Sequence, residues 1–440
     1  MRKWVGLAAL LVAEAMNLLD ATIVQVAAPV IHADLGGPTT AIQWFSAAYT
    51  LPFAALLITG GRLGDIYGRR RLFRLGVAGF VLASIVCALA GSSGVLIGAR
   101  VVQGLAAAAI IPQTIGLIRS SFDGAELPKA LGLIGPVMGL AGISGPLLGG
   151  VITEATSWRA VFLVNVPLGL AVLALVHLLP ESRSPRRPSL DPLGTILLIA
   201  GSALLVFPIL QSRDWFLFPV GIAVLGGCVL QQRRTGGRLI ELSLFQRSGF
   251  GAALVTSALF FAVLSGLTLV VVLHQQLTLH HTVLRASLVL LPWSAISGIA
   301  SWCAGQWLVQ RLGSRLMYVG LGILLLGLAG TWLWPVAALG VCGAGVGLFT
   351  TAFFTEALRR VEPQETGSAA GLLNAVQQFG GTLGVAVLGT IFLHHPATPQ
   401  PVFLVATAVV LVTVGTAHVM RSPRSRLSGG GSRVTVRTGR

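Results

Sequence analysis

Four ionisable side chains interrupt long apolar stretches of this sequence. Glu14 and Asp20 lie in the first stretch, Arg100 in the fourth and Glu356 in the twelfth. A charged group is expensive in an apolar environment, so one retained there usually pairs with another charge, moves a proton or contacts a ligand. These four residues are therefore the first candidates for chemistry in the chain.

Glu14 and Asp20 belong to a polar arc on a single helix. With Glu14 taken as the origin and about 100° per residue, Gln25 lies at roughly +20°, Asn17 at roughly −60° and Asp20 at roughly −120°. The remaining residues of this stretch are mostly apolar. We therefore predict that the polar arc faces the interior of a helical bundle.

Asp20 and Arg100 are expected at a similar depth. At about 1.5 Å per residue, Asp20 lies about 24 Å along its helix from residue 4, and Arg100 about 9 Å from the start of its own, antiparallel helix. In an apolar layer about 30 Å thick these positions coincide. We therefore predict that the two side chains interact, directly or through water. Such a pair either takes part in proton movement or is purely architectural.

The other two acids have different expected roles. Glu14 lies near the middle of its stretch without an obvious cationic partner, so it is a candidate to bind a proton or a cationic group of a substrate. The alternative is a neutral acid that is simply hydrogen-bonded. Glu356 lies near the end of its stretch, where an ion pair with Arg360 four residues later is expected.

The elements that carry these residues are predicted to be membrane helices. Hydrophobic residues make up 54% of the 440 and charged residues only 10%, whereas a soluble domain carries about 25% charged residues. The chain contains repeated apolar segments, and about fourteen of them are long enough to cross a bilayer. The fold class is therefore an all-α polytopic membrane protein, with the lipid bilayer as its main partner.

The arginines predict the orientation of these helices. The net charge is +16, but the basic residues sit in short clusters between apolar segments and form no groove-reading helix, so no nucleic-acid partner is expected. With the N-terminus inside, 26 Lys and Arg residues fall on the inner side and three on the outer side. This asymmetry follows the positive-inside rule and predicts a multi-pass protein of the cell membrane with both termini in the cytoplasm.

Two polar linkers suggest the domain organisation. We predict an N-terminal six-helix bundle over residues 1–180, a linker with two additional transmembrane helices over 181–248, and a C-terminal six-helix bundle over 249–420. Residues 421–440 are too poor in apolar side chains to fold and are expected to form a disordered cytoplasmic tail.

No metal site or disulfide framework is expected. The four cysteines lie far apart inside apolar segments without paired spacing. The paired histidines at 280–281 and 394–395 have no carboxylate or cysteine nearby in sequence, so we interpret them as interfacial residues.

Several motifs extend this interpretation to a family. Residues 61–71 (GRLGDIYGRRR) resemble the G-x-L-x-D-x-x-G-R-[RK] signature of the major facilitator superfamily. Residues 19–27 (LDATIVQVA) resemble the first-helix signature of its fourteen-helix drug:proton antiporter family, with Gln25 where asparagine is usual. Residues 100–104 (RVVQG) are similar to the R-x-x-Q-G motif of helix four.

Two further motifs lie on helices five and six. Residues 145–150 (GPLLGG) resemble the antiporter pattern of helix five, where small residues permit close helix packing and prolines bend the helix. Residues 158–169 (WRAVFLVNVPLG) are similar to the family's entry to helix six. Residues 310–315 (QRLGSR) echo the 61–71 loop, as expected of a duplicated half.

The resemblance implies a major facilitator fold and a function. The fold has two six-helix bundles plus two additional inter-half helices, giving fourteen transmembrane helices. The implied function is proton-coupled export of small amphipathic molecules, drugs or antibiotics, by alternating access. It needs no cofactor, since the proton gradient is the driving force, and the partners are the substrate and protons. The implied assembly is a monomer.

The resemblance also implies roles for particular residues. The residues expected to couple protons or line the substrate cavity are Glu14, Asn17, Asp20, Arg100 and Gln103. The residues expected to gate the conformational change are Gly61, Asp65, Gly68, Arg69, Gly145, Pro146 and Gly149. In one state, Asp65 is expected to approach the N-terminus of helix thirteen, around residues 366–368.

Two other functions remain open from the sequence. An uptake carrier of the same superfamily is the nearest alternative, and the pattern at residues 145–150 argues against it only moderately. A polytopic membrane enzyme would need paired catalytic residues or a nucleophile motif at one depth, and none appears in the sequence.

Overall fold

The computed structural model describes residues 2–183, 189–235, 243–246, 249–331, 335–359, 361–362 and 365–421. All regular secondary structure within these residues is helical, and fourteen long helical segments coincide with the predicted apolar segments. The tail at 422–440 lies outside the described residues, as does Arg360. The segments are α1 Arg2–Leu35, α2 Ala41–Tyr67, α3 Arg69–Ala88, α4 Ser93–Ser121, α5 Glu126–Ala155, α6 Trp158–Leu178, α7 Pro192–Gln211, α8 Leu217–Arg234, α9 Phe250–Thr278, α10 Val283–Leu312, α11 Arg315–Gly330, α12 Pro335–Leu358, α13 Thr366–His394 and α14 Gln400–Arg421.

Twelve of the described helices are long and apolar enough to cross a membrane. The two that fall short are α8 and α11. The former ends in the basic pair Arg233 and Arg234, and the latter has 16 residues, which span about 24 Å at 1.5 Å per residue. The structure therefore supports an all-helical membrane bundle with twelve candidate spans, two fewer than the number predicted.

Helix α5 is interrupted near its beginning. The break lies at Leu133, between the helical segments Glu126–Gly132 and Ile134–Ala155. Pro136 accounts for it, because proline has no backbone N–H to donate to the carbonyl of Gly132 and its ring crowds that carbonyl. The bend predicted at Pro146 stays a prediction, since the helix continues through that residue from Ile134 to Ala155.

Glycines bring helices together in both halves of the chain. A Cβ at Gly104 on α4 would lie 2.2 Å from the carbonyl oxygen of Tyr49 on α2. A Cβ at Gly384 on α13 would lie 1.8 Å from the carbonyl oxygen of Ala262 on α9. Neither position accepts a larger residue without separating the helices, which explains the close α2–α4 and α9–α13 packing.

Helix α7 lies at the seam between the two halves and is packed along α8. Near one end, the Thr195 hydroxyl is hydrogen-bonded to the Thr59 hydroxyl of α2 at 3.0 Å. Near the other end, Thr390 of α13 donates a hydrogen bond of 3.2 Å to the carbonyl oxygen of Ile209. Helix α7 therefore contacts both α2 and α13.

The two ends of the bundle differ. We call the end at which α1 begins the N-terminal face and the other end the opposite face. At Gly132, Gly135 and Gly139 on α5 and at Gly371 on α13, all toward the N-terminal face, a Cβ would meet no described atom of another element within 4 Å. These four positions on α5 and α13 therefore face open space at the N-terminal face.

Three glutamine amides cross the seam toward the opposite face. Gln25 of α1 donates to the carbonyl oxygen of Ser265 on α9 at 2.9 Å, and Gln276 of α9 donates back to Val26 at 2.9 Å. Gln43 of α2 donates to two carbonyl oxygens of α13. These three residues, which we call the seam glutamines, hold the opposite face closed.

Candidate functional site

The predicted pairing of Asp20 with Arg100 is confirmed. The Asp20 carboxylate on α1 and the Arg100 guanidinium on α4 form a direct ion pair. Both side chains are completely buried, with relative exposures of 0% and 1%. Removing either partner would leave the other as an uncompensated buried charge, a strongly destabilising change.

Amide side chains satisfy the rest of the Asp20 carboxylate. Its Oδ1 atom accepts hydrogen bonds from Asn165 on α6 at 2.8 Å and from Gln103 on α4 at 3.2 Å. The Gln103 amide oxygen in turn accepts from Arg100 at 2.8 Å, and the Arg100 Nε donates to the carbonyl oxygen of Phe45 at 2.9 Å. Each charge is thus held by several hydrogen bonds inside the N-terminal bundle.

An aromatic ring joins Asn17 to this network. The Arg100 guanidinium lies over the ring of Tyr49, 4.3 Å from its centre, a distance typical of a cation–π contact. The Tyr49 hydroxyl donates a hydrogen bond of 3.3 Å to the Asn17 side-chain oxygen. Of the five residues predicted for the cavity, four therefore belong to one buried network: Asn17, Asp20, Arg100 and Gln103.

Glu14 has a different environment. It is 8% exposed, and its carboxylate makes no ion pair within the described part of the chain. The hydroxyl of Thr114 on α4 lies beside it, and that hydroxyl is itself buried without a well-formed hydrogen bond. Glu14 lies six residues before Asp20, about 9 Å along α1. The same helix thus carries one fully paired acid and one acid that has no charged partner.

The α2–α3 turn holds four of the predicted gating residues. Asp65 accepts two hydrogen bonds from Arg69, at 2.7 and 3.0 Å. Gly68 between them has φ +108°, a backbone conformation that favours glycine. A Cβ at Gly61 would meet Pro112 of α4 at 3.4 Å. The predicted approach of Asp65 to residues 366–368 concerns one state of the cycle and stays a prediction.

The helix-five motif packs against α1. A Cβ at Gly145 would lie 2.0 Å from the Thr22 hydroxyl oxygen, and one at Gly149 would lie 3.2 Å from the Cα of Ile23. Pro146 is buried between them. The motif therefore brings α5 onto the helix that carries both acids.

The predicted pairing of Glu356 with Arg360 stays a prediction, because Arg360 lies outside the described residues. The structure pairs Glu356 with Arg359, three residues later, at 2.7 Å. Positions three apart also lie on one side of a helix, so the interfacial character of this pair is unchanged. The described residues contain no group of three or more His, Cys, Asp or Glu side chains that would hold a metal ion.

Comparison with known proteins places the chain in a family. The model of the Major Facilitator Superfamily matches residues 10–385. The chain belongs to this superfamily. The match covers most of the residues that form the two bundles, and the family identifies the protein as a transporter rather than an enzyme.

Several relatives of this chain are named for antibiotics. It is 42% identical over 419 residues to the probable actinorhodin transporter of Streptomyces coelicolor, covering 89% of this chain and 72% of the relative. It is 34% identical over 415 residues to the puromycin resistance protein pur8 of Streptomyces alboniger, covering 89% and 82%. It is 35% identical over 400 residues to the cephamycin export protein CmcT of Amycolatopsis lactamdurans, covering 85% and 82%.

A solved structure shares the superfamily fold. The human organic anion transporter MFSD10 (TETRAN) superposes with a TM-score of 0.64 at 14% identity, covering 94% of this chain and 99% of that one. At this identity the likeness concerns the fold alone.

Sequence reasoning did not assign three residues of the buried network. Asn165 and Ser84 approach the Asp20 and Gln103 side chains from α6 and α3, and Tyr49 contacts Arg100 and Asn17 from α2. Asn165 carried a signal, since it is a lone amide inside the 158–169 motif. Ser84 and Tyr49 carried none, because a single serine or tyrosine in an apolar helix is common.

Proposed function

We propose that this chain exports small amphipathic molecules, drugs or antibiotics, in exchange for protons by alternating access. The contrast between the two acids of α1 carries the proposal. Asp20 is held by a guanidinium and two amides, whereas Glu14 has no charged partner among the described residues. An acid that gains and loses a proton without breaking an ion pair suits a carrier of protons.

The names of the relatives support export as the direction of transport. We infer that the N-terminal face is cytoplasmic and that both termini lie in the cytoplasm, because the arginine clusters are on that side. We infer from the open space at the glycines of α5 and α13 that this conformation is open to the cytoplasm, the state in which an exporter would load its substrate and an uptake carrier would release it. Each relative compared above bears the name of a small antibiotic, which favours an amphipathic small molecule as cargo.

The hydrogen bonds that join the two halves of the chain indicate which contacts must change during the transport cycle. Opening toward the outside must break the hydrogen bonds of Gln25, Gln43 and Gln276, whereas the Asp20–Arg100 network lies within one bundle and moves with it. Glu14 would take a proton from the outside as substrate leaves and return it to the cytoplasm. In the outward-open state the cytoplasmic ends close, and Asp65 approaches the start of α13. The proton gradient supplies the driving force, so the monomer needs no cofactor.

We also infer that all fourteen helical segments cross the bilayer. Helix α8 packs along α7 and α11 along α12, each after a short connection, and only fourteen crossings place 26 basic residues on one side. A cysteine introduced at Thr235, after α8, should then react with a membrane-impermeant maleimide only when the cells are permeabilised, whereas one at Thr331, after α11, should react from outside intact cells. Labelling of Thr235→Cys from outside would contradict the crossing of α8, and labelling of Thr331→Cys only after permeabilisation would contradict the crossing of α11.

Transport in everted membrane vesicles tests the function. Vesicles containing the wild-type protein should accumulate puromycin or a fluorescent amphipathic dye when their lumen is acidified, and a protonophore should abolish this. Glu14→Gln should reduce accumulation to the protonophore level while retaining exchange of labelled for unlabelled substrate without a gradient. Glu126→Gln, a surface acid paired with Lys3, is the matched control and should behave as wild type.

Each other result has a defined meaning. Gradient-driven release from preloaded everted vesicles would identify an uptake carrier. Accumulation by Glu14→Gln at the wild-type rate would exclude Glu14 as the coupling acid. Absence of gradient-dependent movement for a broad panel of antibiotics and dyes would contradict proton-driven transport altogether.

A further inference from the structure

A recess of about 200 Å³ opens at the N-terminal face, between the start of α3 and the end of α6. A water molecule occupies about 30 Å³ of liquid, so the recess has room for a group the size of a phosphate. Its lining is mainly basic. The lining residues are Arg70, Arg71, Arg74, Val176, His177 and Glu181.

Two of the three arginines in the recess carry uncompensated charge. The Arg70 guanidinium lies 3.6 Å from the Glu181 carboxylate and donates to the carbonyl oxygen of Leu179 at 3.0 Å. Arg71 and Arg74 make no hydrogen bond or ion pair within the described part of the chain, and both are exposed. Being three residues apart on a helix, they project to the same side. The recess thus presents two free guanidinium groups, with His177 as a further donor.

An apolar stripe on α3 begins directly below these arginines. At about 100° per residue, Leu75, Leu82 and Val86 lie within roughly 60° of Arg71 around the helix. Their relative exposures are 56%, 64% and 48%. In a membrane-spanning helix such a surface contacts acyl chains, so the recess joins a cationic site at the interface to a hydrocarbon-facing surface.

From this juxtaposition we propose that the recess binds the headgroup of an anionic phospholipid, with Arg71, Arg74 and His177 contacting its phosphate and α3 contacting its acyl chains. Arginine forms strong charge-assisted hydrogen bonds with phosphate oxygens. Basic residues at a cytoplasmic interface attract anionic lipid. A free phosphate ion would gain nothing from the apolar stripe, whereas a phospholipid uses both parts of the site.

Lipid retention by the purified protein tests the proposal. Wild-type protein and the double variant Arg71→Gln/Arg74→Gln are equilibrated in detergent micelles with equal amounts of phosphatidylglycerol and phosphatidylcholine, and retained lipid is counted by native mass spectrometry. The matched control is Arg233→Gln/Arg234→Gln, which removes two exposed arginines from the end of α8, outside the recess. Size-exclusion profiles establish that all three proteins are folded.

Wild type and the control should retain phosphatidylglycerol in preference to phosphatidylcholine. The double variant should bind it about 30-fold more weakly, which corresponds to about 2 kcal/mol for two arginines. Added inorganic phosphate should not displace the lipid. Equal retention by the double variant, equal retention of both lipids by wild type, or displacement of phosphatidylglycerol by inorganic phosphate would each overturn the lipid site.

Discussion

Replacing Gln43 with alanine should shift the transporter toward its outward-open state. Gln43 is completely buried, and its amide donates to the carbonyl oxygens of Val385 at 2.8 Å and Ala386 at 3.0 Å. These bonds join α2 of one half to α13 of the other. They exist only while the opposite face is closed, so their removal destabilises that state and leaves the outward-open state unaffected.

The expected magnitude follows from the kind of bond that is lost. Each hydrogen bond contributes about 0.5–1.5 kcal/mol net. The two acceptors lie inside α13 and keep their own intrahelical bonds, so no buried carbonyl is left without a partner. The loss is therefore about 2 kcal/mol, which changes the ratio of outward-open to closed molecules by about 30-fold.

Spin-label distance measurements between Thr39 and Ala397 report this ratio. Both residues are exposed at the opposite face, on different halves. Of the native cysteines, only Cys303 is partly exposed, so replacing it with alanine leaves the introduced pair as the accessible thiols. Gln43→Ala should increase the population with long distances in the absence of substrate.

A matched control distinguishes the loss of a seam glutamine from the loss of any buried glutamine. Gln113 is also buried and donates to a backbone carbonyl, that of Gly60, at 2.9 Å, but both residues belong to the N-terminal bundle. Gln113→Ala should leave the distance distribution unchanged. If both variants shift the distribution equally, or if Gln43→Ala leaves it as in wild type, the seam glutamines do not hold the closed state.

Two further predictions concern the residues around the acids. Arg100→Gln leaves Asp20 buried without its cation and should lower stability by about 3–5 kcal/mol, whereas Glu14→Gln breaks no described hydrogen bond and should cost less than about 1 kcal/mol. Thermal unfolding in detergent measures the difference, and equal melting temperatures would contradict the assignment of roles. Gly145→Val should force α5 away from Thr22 and abolish the monodisperse protein peak. Gly139→Val, where no described atom of another element lies nearby, should preserve that peak.

The Asp20–Arg100 pair was predictable because two simple quantities determine it. Helical phase places Asp20 on the inner arc of α1, and the rise per residue places it level with Arg100. The remaining members of the network depend on how α2, α3 and α6 are rotated about their own axes. A mostly apolar helix carries little information about that rotation, so Ser84 and Tyr49 were not predicted.

The closure of the seam was not predictable for a different reason. Gln25, Gln43 and Gln276 all donate to backbone carbonyl oxygens, and every residue has such an oxygen. The sequence therefore does not indicate which carbonyl oxygen accepts each hydrogen bond. The number of crossings is a separate case. Both α8 and α11 were predicted as apolar segments, and the charge asymmetry supported that count, but α8 falls short in composition and α11 in length.

The different surroundings of Glu14 and Asp20 have a mechanistic consequence. Protonating Asp20 would remove the charge that Arg100 faces in a fully buried site, a change that costs several kcal/mol unless another anion compensates. Protonating Glu14 disturbs no ion pair in the described structure. A proton that must bind and leave in every cycle suits an acid whose two forms both leave the ion pairs intact, and Glu14 meets that condition. Asp20 then maintains the arrangement of α1, α4 and α6 around the acid proposed for coupling, so its replacement should impair folding before it impairs coupling.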